Sequence, residues 1–128
     1  MTKKDLIDLL GTLTPGESLP GVRATFYFEE FNKQREIVTV KTNAQGSPEA
    51  PLHLDPLLAV CKKLFKDADY FKSGNRNHAF AEVIESAGIR RDDDPYPYPG
   101  LYTYEAYYIA LAEKLRSKWL VKTTSKQN

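Results

Sequence analysis

The chain has 128 residues, 41% of them hydrophobic and 27% charged, with a formal net charge of +1. That length suits one domain with its own core, and a near-neutral balance supplies no global field to draw nucleic acid or an acidic membrane. Cys61 is the single cysteine, which excludes an intrachain disulfide and a cysteine zinc cluster, and no run reaches the roughly 18 apolar residues of a membrane span.

Thr2 to Leu10 reads as a short amphipathic helix, with Leu6, Ile7, Leu9 and Leu10 as its apolar side. Thr2 and Asp5 match a variant capping box, and Gly11 suits a left-handed stop. The apolar run is short and contains acids, so it does not read as a secretory leader. A cytoplasmic, reducing location is the expectation, with Cys61, flanked by Val60 and Leu64, a buried thiol acting as a small hydrophobe.

Thr14-Pro-Gly and Leu19-Pro-Gly mark a loop with two turns. Val22 to Phe31 is the clearest strand, with Val22, Ala24, Phe26 and Phe28 on one face and Arg23, Thr25, Tyr27 and Glu29 on the other. After the polar connection Asn32 to Arg35, Glu36 to Thr42 forms a second, β-branched strand, and together they read as an antiparallel hairpin. A third short strand is expected near Leu52 to Leu54, after a polar loop from Asn43 to Pro51. A hairpin is marginal alone, so helices must cover its apolar face.

Asp55-Pro56 signals a helix start, and Leu57, Leu58, Val60, Cys61, Leu64 and Phe65 recur at helical spacing toward an end near Phe71. Asn75 or Asn77 caps the next helix, which carries Phe80, Val83 and Ile84 and stops at Gly88. Arg90, Arg91 and Asp92 to Asp94 form a charged connector. Thr103 caps a last helix from Tyr104 to Val121, with Tyr107, Tyr108, Leu111, Leu115 and Trp119 on its apolar stripe. The order predicts an α+β fold: a short N-terminal helix and an antiparallel β-hairpin, with or without the third short strand, packed against three C-terminal helices. Residues 1–122 form one compact domain in this reading, and 123–128 a polar, frayed tail.

Chemistry-bearing motifs are sparse. His78 and Glu82 are four apart on one helical face, the spacing of a metal or acid–base pair, but two ligands do not complete a zinc site and a weak surface pair accounts for them. His53 reads as a solvent-facing or capping residue. Asp92 to Asp94 lack the spacing and glycine of a calcium loop. The chain has no dinucleotide-binding or Walker-type glycine loop and no serine nucleophile elbow. No metal, cofactor or catalytic residue is assigned.

Two surfaces stand out. Six of the eight tyrosines, Tyr96, Tyr98, Tyr102, Tyr104, Tyr107 and Tyr108, fall close together, the first of them alternating with Pro95, Pro97 and Pro99. Tyr104, Tyr107 and Tyr108 are expected to pack the last helix onto the hairpin, hydroxyls reaching water. Tyr96, Tyr98 and Tyr102 sit on a proline-stiffened segment, and a rigid aromatic ridge loses little entropy on binding. They are the predicted contact for a protein partner, which includes a second copy of the chain. The other surface is basic: Lys114, Arg116, Lys118 and Lys122 surround Trp119, with Arg90 and Arg91 as additions. Cations beside an aromatic can contact phosphates and stack bases, although cations also suit any helix C-terminus. The leading expectation is therefore a small non-catalytic binding protein, of adaptor, inhibitor or immunity type. A nucleic-acid-binding accessory domain is the first alternative, and a small enzyme or metal protein around His78 and Glu82 the second.

Overall fold

The computed structural model describes residues 1–21, 24–43, 45–46, 49–72, 74–89, 98 and 100–126, with side chains as far as Lys122. Its order is α1 (Lys3–Leu10), β1 (Ser18–Leu19), β2 (Phe26–Asn32), β3 (Ile37–Thr42), β4 (Ala50–His53), α2 (Leu54–Lys66), α3 (Arg76–Ser86), a 3-10 turn (Leu101–Tyr104) and α4 (Glu105–Lys126). The fold is α+β. The strands form one antiparallel sheet in sequential order, so the expected hairpin is the centre of a four-stranded meander.

The extra edge strand arises where a plain loop was expected. Ser18 pairs with Tyr27 and Leu19 with Phe26, which requires the chain to reverse between Leu19 and β2. That reversal moves the start of β2 from the expected Val22 to Phe26. It is tight at Gly21, where an added Cβ would collide with the Ala24 carbonyl and lie 2.8 Å from the Phe26 ring. Val22 and Arg23 lie outside the described residues. The expected third strand is present as Ala50–His53, pairing with β3.

In β2 the register slips between Phe28 and Glu30, leaving Glu29 as a bulge. Phe28 and Phe31 would face opposite sides of a regular strand, because the side-chain period is two. The extra residue restores Phe31 to the core side, opposite the buried Val38. The core face of the sheet comprises Leu19, Phe26, Phe28, Val38, Val40 and Leu52. Its outer face carries Lys41, which bridges to Glu29 at 3.0 Å and lies over the Tyr27 ring.

Helix α1 begins as its sequence indicates. Asp5 N–H donates to Thr2 Oγ1 at 3.1 Å while Thr2 N–H donates to Asp5 Oδ2 at 2.9 Å, a reciprocal capping box. Gly11 is right-handed at φ −66 rather than left-handed, and its N–H returns to the Ile7 carbonyl. Helix α2 starts one residue before the expected acid, with His53 at the cap position. Asp55 lies in the first turn rather than at the cap, and its carboxylate meets Tyr98 and Lys3. The helix stops at Lys66, short of Phe71, because Asp67 turns extended and its carboxylate accepts from the Asp69 N–H at 3.2 Å. Helix α3 ends at Ser86, with Gly88 at φ 80 supplying the left-handed turn expected there. The last helix follows a 3-10 turn instead of a Thr103 cap and continues through four residues of the expected polar tail.

Helices α2 and α4 pack on one another, and α4 also meets β1, β2 and β4. Leu57, Val60, Leu64, Ile109, Leu111 and Leu115 are fully buried in the single apolar cluster that results. Each such side chain contributes about 1.5–3 kcal/mol of transfer free energy. Cys61 is buried among them, and burial pushes its thiol far above the ordinary range, so the thiolate does not form near neutral pH.

Candidate functional site

The tyrosine segment folds down onto the body. Tyr107 meets Phe26 of β2 edge-on at 4.5 Å between ring centroids and stacks on Tyr104 at 5.7 Å. This is the packing of the last helix onto the sheet that its apolar stripe implies. Tyr108 departs from expectation. It is 1% exposed, and its hydroxyl accepts from the His53 N–H at 3.0 Å instead of reaching water.

Tyr102 is half-buried, its ring edge-on to Phe80 at 5.9 Å. Tyr98 is half-buried too, its ring 4.5 Å from that of His53 and its hydroxyl donating to Asp55 Oδ2 at 2.8 Å. Desolvation, and then the bond to Asp55, push the Tyr98 hydroxyl up to about 12. Tyr96, with Arg90, Arg91 and Asp92 to Asp94, lies outside the described residues. Two of the three predicted contact tyrosines therefore have their rings engaged with the fold.

Tyr98 belongs to a polar corner that joins three elements. Lys3 Nζ of α1 lies 2.8 Å from Glu36 Oε2 in the β2–β3 turn and 3.6 Å from Asp55 Oδ1 of α2. Glu36 sits at φ 54, a left-handed conformation that lets a short turn close. Burial holds His53 below its ordinary value, with Asp55 opposing, so the imidazole is neutral at pH 7. Beside the corner is a cavity of about 410 Å³ lined by Leu58, Lys62, Ala87 and Ile89 as well as Asp55 and Tyr98. One cation, Lys3, is shared between the carboxylates of Glu36 and Asp55, which makes the corner a joint between elements.

The basic surface is divided. Lys114, Lys118 and Lys122 lie four apart along α4 and line a groove of about 450 Å³. Arg116 instead borders a neighbouring cavity with Leu64, Lys72 and Glu113. Leu9 of α1 and Thr12 just beyond it also line the groove, with Val121. Glu17 Oε1 bridges Lys114 at 3.1 Å and Lys118 at 3.2 Å, while its Oε2 accepts from the Thr14 N–H at 3.1 Å. Burial pushes the Glu17 carboxyl up, but the Thr14 N–H and the two lysines outweigh it and hold the group below its ordinary value. Lys122 lies over the Trp119 ring, 6.0 Å from its centroid, and Trp119 packs on Phe65 at 6.0 Å.

His78 and Glu82 stand 3.9 Å apart with 80% and 59% of their side chains exposed, the geometry of a weak surface pair. Among the described residues no group of three or more His, Cys, Asp or Glu side chains could hold a metal ion. No helix among them is long and apolar enough to cross a membrane.

The row of lysines is legible in the sequence at every fourth position. The groove is not, because Leu9, Thr12 and the bridging Glu17 come from the far end of the chain. Comparison with known protein families, curated proteins and solved structures finds no match to this chain.

Proposed function

We propose that this chain is a small non-catalytic binding protein that works through protein–protein contact, made along the groove between α1 and α4. Adaptor, inhibitor and immunity-type roles share that chemistry. The observation that carries the reading is Val121: it is 67% exposed, lines the groove, and is followed back along the helix by Leu120 at 44%. Exposed apolar side chains with a polar rim are what a partner covers, and burying one valine contributes about 1.5–3 kcal/mol. Tyr98 and Tyr102 are less suited, since both rings are spent on His53 and Phe80.

A nucleic-acid reading is favoured by one feature, the lysine row. It is weakened by Glu17, which neutralises part of that row, and by Trp119, whose ring packs on Phe65 instead of presenting a face for base stacking.

Site-specific photo-crosslinking in the native cell tests the proposal. A photoreactive amino acid at Val121 is compared with one at Lys66, an exposed position at the end of α2. The expected result is a protease-sensitive, nuclease-resistant adduct at position 121 that is absent at 66. An adduct removed by nuclease, equal labelling at both positions, or no adduct overturns it.

A further inference from the structure

We infer that the groove between α1 and α4 receives an acidic amphipathic helix of a protein partner, its carboxylates meeting the lysine row and its apolar side chains lying on Val121. This deepens the reading above and rests on it.

Charge and spacing carry the inference together. Among the described residues, three lysines and no acid line the groove. A helix rises about 1.5 Å per residue, so cations four positions apart recur about every 6 Å along α4. Carboxylates four apart on a partner helix recur at the same interval, so one helix laid along the groove matches the row without a change of register. Helix-in-groove recognition reads such evenly spaced anchors.

Glu17 shows the same chemistry within the chain. A single carboxylate oxygen holds both Lys114 and Lys118, so these ammonium groups converge on a carboxylate placed at the upper end of the row. Lys122 stands at the other end, one turn further along α4, beside Val121. Asp5 feels Lys122 only weakly: its carboxyl is lowered first by the Thr2 N–H, and Lys122 is the least of the causes. An aliphatic lining between the cations suits leucine or valine side chains better than nucleobases, which call for an aromatic platform.

Fluorescence anisotropy with the full-length protein tests this. The probe is a short labelled synthetic helix with leucines on one face and glutamates four apart beside them. The comparison probes are the same helix with lysine for glutamate and a single-stranded DNA oligonucleotide. The acidic helix binds and the lysine helix does not. Val121→Ser weakens binding about tenfold. Lys118→Gln with Lys122→Gln weakens it further and flattens its salt dependence. Glu17→Gln, measured where circular dichroism shows native helix content, strengthens binding, because it releases two lysines from an internal competitor. A purely structural Glu17 would not produce that gain.

No binding of the acidic helix, or equal binding of the lysine helix, overturns the inference. So does DNA binding that is as tight and indifferent to Val121→Ser. If the acidic helix fails while position 121 still crosslinks to a protein, protein contact stands and the acidic class alone is removed. If both fail, both readings fall.

Discussion

The backbone N–H of His53 donates to the hydroxyl oxygen of Tyr108 at 3.0 Å. It is the N–H at the junction of β4 and α2, and Tyr108 reaches it from the first turn of α4. The same ring lies 5.9 Å from Phe80 of α3. One side chain thus ties the sheet edge and two helices to the last helix, with its hydroxyl held well above the ordinary tyrosine range chiefly by burial.

Tyr108→Phe keeps the ring and removes the acceptor. A part-buried N–H is left without its bond, which costs about 1–3 kcal/mol. The urea midpoint should fall with an unchanged m-value, and the His53 amide should exchange faster. An unchanged midpoint would show that water replaces the hydroxyl at no cost.

The Glu17 carboxyl is held below its ordinary value of 4.5. A depressed folded-state value gives stability that is complete above the unfolded value and is lost as pH falls through the folded one. Wild-type stability should therefore decline below about pH 4.5, and Glu17→Gln should flatten that part of the profile. At neutral pH the substitution should cost about 1 kcal/mol or less, since the bridged lysines are partly solvated. Denaturation midpoints across an acid series provide the check.

Tyr98 has the opposite sign. Its folded-state value, about 12, is raised above the ordinary 10.0, so its contribution is complete below pH 10 and is lost as pH rises toward 12. Ultraviolet titration of the native protein should show Tyr98 and Tyr108 among its late tyrosines, and Tyr98→Phe should remove one of that late group. The variant should lose about 0.5–1.5 kcal/mol at neutral pH, the worth of one hydrogen bond. Loss of a tyrosine from the ordinary part of the curve, with the late part unchanged, would count against the Asp55 contact.

Gly21→Ala places a methyl group against the Ala24 carbonyl and the Phe26 ring. Relief requires moving backbone at the β1–β2 reversal, and such overpacking costs about 1–3 kcal/mol. Thermal unfolding should shift down clearly, and amide exchange at Leu19 and Phe26 should report the loosened edge. Stability equal to wild type would mean that this reversal yields without penalty.

Much of the architecture was legible. The capping box at Thr2 and Asp5, the alternation of Phe26 and Phe28, the β-branched run of β3 and the periodicity of α2 are local signals, and each yields its element. Two of the failures trace to contacts between elements, and one to a local turn. Ser18–Leu19 is too short to carry a strand pattern and exists because β2 offers it an edge. Asp55 looks like a cap in isolation, but it lies in the first turn, its carboxylate meeting Tyr98 and Lys3. The 3-10 turn before α4 displaces Thr103 from the cap it was expected to form.

The site divides along the same line. The spacing of Lys114, Lys118 and Lys122 is a property of one helix, so a period of four residues reveals it. That Glu17 bridges two of them, that Leu9 of α1 lines the groove, and that Tyr98 lies on His53 depend on how separate elements pack. By itself the sequence determined which residues are apolar, at what period, and hence which helices and main strands form. Tertiary structure alone decided which charges meet and which tyrosines are spent inside the fold. Periodicity acts over a few residues of chain, whereas an ion pair or a groove needs the final crossing of elements that the chain keeps far apart.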